Sequence, residues 1–508
     1  MPSWLSRLLA TALIALLLPA SALAASRAHA PGASQTATRT EGHARAGARK
    51  HHRRHHRRRH ARRHRRHGRV HHGRVAHVAE GHHSAPGSNP SGPVPDHIPT
   101  WAYDDGCNGG TGASSALVRG WVTYAESNCG PNATKALSDC TAGGQSYCTP
   151  VQYLDANRIY QQGSVPVASA AQESWWLHQP GHTDPGHRLT INAYGGGNIL
   201  NQSIPAVDSW FHDYVQKNYD AYPALMMDDT TGSLSDGLWG SGFMSSQEIS
   251  SASQLEAAHD DMAAAMTHTD GTPFLQIDNG LSANDNLVTP FRLLKSQLGV
   301  HGVIVEGAPM EDGQLTSYYG SLLDEMAYID HTTNDFVVLL SYDQNGSTQA
   351  RLVQAATTLL GYSPGHTVSW SDLETNSDNL AVWPEEGIVP TQPIQTMGDP
   401  SGHLCLAGQG AMCSTGGHNG LQVQSGVYRR EFGDCYDQGT SFGQCAAIVN
   451  TTGSAVTVKA SWLTQSYGHE ITLDGGDVQS GGTIETTGAP FNPGSTTIPA
   501  HGALLLSA

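Results

Sequence analysis

The chain has 508 residues, of which 38% are hydrophobic and 14% charged, with a formal net charge of −16 at pH 7. That is room for about two or three domains; the N-terminal apolar run is short for a bilayer and no later stretch is long enough, so no transmembrane segment is expected, a retained N-terminal anchor being the minor reading. The charge is unevenly divided: 17 of the 28 Lys and Arg lie at or before His83, whereas of the 44 Asp and Glu only Glu41 and Glu80 do, so the remainder carries −31. Self-repulsion in that acidic part relaxes as carboxylates protonate, so acidic working surroundings are expected.

In chain order, Arg7, an apolar run over 8–18 and the small-residue site Ala22-Leu23-Ala24 predict a signal peptide over 1–24 and a secreted protein, extracellular or periplasmic. Residues 25–97 are of low complexity. The stretch 45–74 alternates Arg and His, as in His51-His52-Arg53-Arg54-His55-His56-Arg57, and cannot bury a core, so it is expected to be disordered. It reads as a solvated spacer, or more sharply as a polycation that holds the protein against an anionic envelope polymer, more tightly when His charges. Nucleic acid is not an expected partner of a secreted protein, and the interleaved Arg opposes metal binding by the His run. A Pro/Ser/Gly segment closes this region.

From Ile98 apolar runs alternate with amphipathic windows, the signature of βα units. Strands are expected at 98–103, 151–155, 174–178, 224–228, 274–278, 302–306 and 336–342, with a weaker eighth near 380–383. Helices are expected after Pro205, where Val207, Trp210, Phe211, Tyr214 and Val215 form one apolar face, and over 252–267, 287–298, 316–329 and 348–360. The fold class is therefore α/β, a (β/α)8 barrel over 98–420. A doubly wound open sheet is the alternative, but no Gly-rich phosphate loop follows an early strand. Beyond about Gly420 short alternating strands broken by Gly, Ser and Thr predict a small antiparallel β-sandwich over 421–508.

The eight cysteines fall into two local sets, which in an oxidising compartment reads as disulfides. Pairing near neighbours joins Cys140 to Cys148, Cys405 to Cys413, Cys435 to Cys445 and Cys107 to Cys129. No CxxC spacing points to zinc. No metal ligand set and no cofactor motif is expected.

Three apolar runs end in acids: Ala224-Leu225-Met226-Met227-Asp228-Asp229, Phe274-Leu275-Gln276-Ile277-Asp278 and Val303-Ile304-Val305-Glu306. Strands that deliver carboxylates at their C-terminal ends are how a parallel barrel builds a site, and a pair of carboxylates, one acid and one nucleophile or base, suits glycoside hydrolysis. By count, these strands are the fourth, fifth and sixth. Asp228 and Glu306 are the expected catalytic pair. Asp229, adjacent on the strand, and Asp278, which also begins the good turn sequence Asp278-Asn279-Gly280, are supporting or alternative acids. A single strand-end Asp is about as often a loop anchor as a catalyst; three in successive units favour a site. Tyr103, Asp104 and Asp105 at the first strand end, Trp175, Trp176 and His178, Asn279, and Tyr342 with Asp343 are candidate sugar contacts, since aromatic faces stack on sugar C–H surfaces and polar groups bond hydroxyls. Neighbours on a strand face opposite ways, so one of the two Trp is expected in the core.

The set Glu173-Ser174-Trp175-Trp176-Leu177-His178, Asn201 with the Pro205 helix, Met226-Met227-Asp228-Asp229, Ile277-Asp278-Asn279-Gly280, Val303-Ile304-Val305-Glu306-Gly307 and Val427-Tyr428-Arg429-Arg430-Glu431-Phe432 resembles a glycosyl hydrolase-like family of bacterial barrel proteins. The resemblance runs from about Ile98 to the C-terminus and implies a carbohydrate substrate, with Asp228 as nucleophile and Glu306 as acid/base. The family more often has a single acid after the fourth strand, so the Asp228-Asp229 doublet leaves both open. Two other functions compete. One is a non-catalytic carbohydrate-binding or envelope-associated protein. The other is a metal-dependent polysaccharide deacetylase, suggested by Tyr103-Asp104-Asp105-Gly106. It lacks two His four residues apart, because His182 and His187 are one residue too far apart, with Pro and Gly between them.

Overall fold

Eight parallel strands form the barrel of the computed structural model: β1 (Trp101–Tyr103), β2 (Tyr124–Ser127), β3 (Thr149–Asp155), β4 (Ala224–Asp228), β5 (Leu275–Ser282), β6 (Val300–Glu311), β7 (Phe336–Tyr342) and β8 (Thr367–Asp372). They pair in chain order, and Thr100 bridges Ser369, whose N–H donates to the Pro99 carbonyl at 2.9 Å, so the first strand meets the last. The structure describes residues 96–104, 114–127, 134–142, 144–155, 158–160, 172–191, 197–228, 246–250, 252–282, 300–311, 313–332, 335–342, 347–372, 382–397 and 417–508. The expected signal peptide, the His/Arg-rich segment, the helix at 287–298, Asp105, Asp229, Asp343, Cys107, Cys129, Cys405 and Cys413 lie outside these residues.

Six described helices accompany the strands: α1 (Ser115–Trp121), α2 (Lys135–Cys140), α3 (Pro205–Tyr219), α4 (Ala252–Ala265), α5 (Tyr319–Thr332) and α6 (Thr348–Gly361). In α3, Pro205 occupies the first turn, where its missing N–H removes no helical bond. Val207, Phe211, Val215 and Tyr219 then bury one face at four-residue spacing. Ser347 caps α6, its hydroxyl accepting from Ala350 N–H. No helix among the described residues is long and apolar enough to cross a membrane.

Two strand expectations need correction. Residues 174–178 form no barrel strand: Glu173–Trp175 is a 3-10 turn, and Trp176 and His178 make isolated bridges to Leu200 and Arg188. The last barrel strand is β8, not 380–383. The four-residue β2 lacks an apolar run, and Ser369 and Ser371 interrupt β8, so neither stands out by hydropathy. The missed second strand and the surplus third cancel, and the Asp228 strand is still the fourth.

Beyond the barrel lies an antiparallel six-stranded sheet: β9 (Ile388–Pro393), β10 (Gln422–Gln424), β11 (Val427–Asp437), β12 (Thr440–Asn450), β13 (His469–Glu470) and β14 (Gly502–Ser507). Its residues alternate between two cores. Tyr428, Phe432, Ala447, Val449, Ala503 and Leu505 join Leu323, Val353, Ala356 and Leu360 of the barrel helices. Val427, Ala446, Ile448, Leu504 and Leu506 face the other way, against Val458, Trp462, Tyr467 and Phe491. Sheet and barrel belong to one compact unit. The expected disulfides Cys140–Cys148 and Cys435–Cys445 are formed, the second across β11 and β12.

Candidate active site

Strand periodicity decides which side chains reach the barrel axis. Trp101, Tyr124, Val151, Ala224, Met226, Ile277, Ile304, Phe336, Val338, Leu340, Val368 and Trp370 fill the interior. Leu225 and Met227, and Val303 and Val305, instead pack outward with the helices. Two residues further along each strand, the inward positions become Tyr103, Glu126, Tyr153, Asp228, Asn279 and Glu306. The polar layer thus begins where the apolar one ends, at the C-terminal mouth.

Three of these residues converge. The Asn279 side-chain amide Nδ2 donates to Asp228 Oδ1 at 3.0 Å and to Glu306 Oε1 at 2.6 Å. These two distances hold the carboxylate oxygens within 5.6 Å of each other. The Tyr153 hydroxyl donates to the other Asp228 oxygen at 2.5 Å. Asp228 and Glu306 are both half-buried. Gly307, directly after Glu306, has φ 67°, a conformation that glycine adopts without strain, and the register with β7 shifts between Glu306 and Glu311. On the neighbouring strands buried Glu126 accepts from Trp101 Nε1 at 2.7 Å, and Tyr103 meets Trp370 edge to face at 5.1 Å.

The remaining candidates are elsewhere. Asp278 is buried on the strand face opposite Asn279, the side on which Gln276 bonds the Ala263 carbonyl of α4. Asp104 is buried and ion-paired with Lys135 of α2, which also holds Asp139. Trp175 and Trp176 are both buried, packed with Leu200 and Val207, because the chain there is a turn and not an alternating strand. Arg188 lies 5.1 Å over the Trp176 ring. His178 is buried between two acids: Nε2 to Glu173 at 2.9 Å and Nδ1 to Glu248 at 2.7 Å. Burial disfavours its charged ring, but the two carboxylates outweigh that and raise its pKa. Arg188 beside Glu173 is the main cause of that carboxyl falling to about 2. Tyr342 ends β7.

Sequence reading missed Tyr153 and Glu126. Tyr153 is inside a strand correctly expected, two residues after inward Val151, so its place was recoverable once the inward face was known. Glu126 belongs to the unforeseen β2. Among the described residues, the His/Cys/Asp/Glu group with spacing to hold a metal is His182, Asp184 and His187, on the loop between β3 and α3.

No family model matches this chain, and no curated protein does. Solved structures do match. A GH30 endoxylanase from Clostridium papyrosolvens C71 is 7% identical, covers 82% of this chain and 98% of its own, with TM-score 0.36. A pullulanase from Anoxybacillus sp. LM18-11 complexed with maltotriose is 10% identical over 79% and 64%, TM-score 0.35. An alpha-galactosidase from Thermus thermophilus is 13% identical over 59% and 61%, TM-score 0.34. The chain spans less than two thirds of the latter two. Likeness this distant leaves the chemistry to be argued from the site itself.

Proposed function

We propose that this chain is a secreted glycoside hydrolase that cleaves a poly- or oligosaccharide with retention, Asp228 acting as nucleophile and Glu306 as general acid/base. One observation carries the reading: a single amide, that of Asn279, donates to both carboxylates, which keeps their near oxygens within 5.6 Å. Retaining pairs stand about 5–5.5 Å apart, whereas inverting pairs need about 6.5–9.5 Å to admit a water.

Glu306 gives its proton to the glycosidic oxygen as Asp228 attacks the anomeric carbon, which releases the leaving sugar and forms a glycosyl ester. Glu306, now ionised, takes a proton from water as that water displaces Asp228. Tyr153 and Asn279, each on one oxygen of Asp228, fix the plane of the attacking carboxylate. The Tyr103 ring beside Trp370 offers an aromatic surface for a sugar face. The two disulfides suit an oxidising compartment and support secretion. The His/Arg-rich leader would hold the enzyme against an anionic envelope polymer. The deacetylase reading loses support, since Asp104 is taken up by Lys135 on the helix side.

The test is release of new reducing ends from a panel of bacterial and plant polysaccharides, with and without chelator. Chelator-insensitive release is expected, with the product anomer retained. Asp228→Asn and Glu306→Gln should each lower turnover by about 10²–10⁴-fold without unfolding the protein. An inverted product would refute the retaining assignment. Full activity in both variants would refute the carboxylate pair. Binding of a glycan without turnover would favour the non-catalytic alternative.

A further inference from the structure

The loop between β3 and α3 carries a second group of chemistry-bearing side chains, which the proposed reaction does not use. Its core is a small hairpin. His178 bridges Arg188, and Gln179 N–H donates to the His187 carbonyl at 2.8 Å. At the tip Asp184 caps the Pro185–His187 turn, accepting from Gly186 N–H at 3.0 Å. The turn brings His182 and His187 ring to ring, with centroids 3.6 Å apart and planes 16° apart. Asp184 lies at their shared edge. His187 Nδ1 is 2.9 and 3.0 Å from its two oxygens, and His182 Nδ1 is 3.7 Å from Oδ2. The three residues each offer a ligand atom, all within 4.8 Å of one another.

In sequence this pair argued against a metal, because their spacing does not put them on one helical face. A hairpin brings them together instead. A hydrogen bond to Asp184 accounts for His187 but not for His182, whose nitrogen at 3.7 Å is beyond hydrogen-bond reach. Two imidazoles and a carboxylate converging on one point are the donor set of zinc-like ions. Ligand atoms around tetrahedral zinc stand about 3.4 Å apart, given bonds of about 2.1 Å, so small side-chain rotations close the site. The hairpin is anchored: Gly181 N–H donates to Gln247 Oε1 at 2.6 Å, and Gln247 N–H to the His178 carbonyl at 2.8 Å.

We propose that His182, Asp184 and His187 bind one divalent transition-metal ion of the zinc class, with water completing its coordination. The ligand side chains are 41%, 55% and 41% exposed, so the ion exchanges with the medium and fastens the hairpin tip rather than entering the barrel.

The experiment is equilibrium dialysis of the full chain against Zn²⁺. The His-rich leader adds a background that is the same in every variant. Wild type should hold one equivalent more than His182→Ala, Asp184→Ala or His187→Ala, and His212→Ala should match wild type. His182→Asp, which exchanges one ligand for another, should keep the equivalent. Circular dichroism of the metal-free proteins checks that all are folded. Equal stoichiometry in wild type and the three alanine variants would overturn the proposal.

Discussion

At the scale of the residue, one amide serves two acids. Asn279 donates to Asp228 and Glu306 at once, so removing it takes one hydrogen bond from each carboxylate and loosens their mutual alignment, while Tyr153 still holds one oxygen of Asp228. A displacement of about 1 Å costs about 10²-fold in rate. Asn279→Ala should therefore lower kcat by about that factor with little change in melting temperature, as steady-state kinetics beside a thermal scan would reveal. Tyr153→Phe removes one hydrogen bond to Asp228, a charge-assisted contact of about 1.5–3 kcal/mol, and should cost about ten- to a hundredfold in kcat with KM nearly constant. Asp228 and Glu306 were legible because each closes an apolar run. Which of Asp278 and Asn279 faces the axis was not. Barrel strands are apolar on both faces, so alternation alone does not say which face is inside; that information comes from the neighbours Met226, Ile277 and Ile304.

At the scale of the element, the loops after β3 and β4 are joined through His178, which binds Glu173 from the first and Glu248 from the second. The pKa of His178 is raised, so its contribution is complete below about 6.5 and is lost as pH climbs through the raised value. Glu173 is lowered to about 2, so its contribution is complete above about 4.5 and fades as pH falls toward 2. The joint is thus strongest in mildly acid solution. Protection factors of the amides at 173–178 and 246–249, taken relative to the intrinsic exchange rate at each pH, should rise from pH 8 to pH 5.5, and His178→Gln should abolish that rise. The motif around Trp175 was visible in sequence, but its role as a loop clasp was not. Its partner Glu248 is 70 residues away and carries no local signal.

At the scale of the whole molecule, α6 is buried on nearly every side, between the barrel strands and the sheet. Arg430 of β11 seals its C-terminal end, donating to the Leu360 carbonyl at 2.9 Å and to that of Tyr362 at 2.8 Å. Burial lowers its pKa only to about 10, so it stays charged at neutral pH. Arg430→Leu leaves those carbonyls unsatisfied and should destabilise the fold by about 2–4 kcal/mol, measurable by urea unfolding. Arg351 of α6 makes a bidentate pair with Glu385 and reaches the Gly475 carbonyl at 3.0 Å. Beside that pair, burial first and Glu385 second push Glu386 up to about 8. The folded chain then holds a proton that the unfolded chain has released between about pH 4.5 and 8, so stability is greatest on the acid side and declines as pH rises to 8. Differential scanning calorimetry should show Tm falling from pH 5 to pH 8, with a flatter course in Glu386→Gln. Acid-favoured stability agrees with the excess of carboxylates in the sequence, although Glu386 itself is invisible there as a proton-holding site.

The ring of strands closes by joining Thr100 to Ser369, and the sheet that covers α6 has β14 (Gly502–Ser507) inside it, between β12 and β13. A ribosome delivers these segments in order and at different times. The first barrel strand finds β2 early but must wait for some 270 residues before the strand that closes the ring exists, and α6 must wait longer for its cover. Pairings between such distant segments form slowly, and until they form, apolar surface is open to aggregation. Completing the shared core is therefore a late event. The chain should remain protease-sensitive until residues as far as Ser507 have emerged, a state compatible with threading through a membrane channel before folding beyond it.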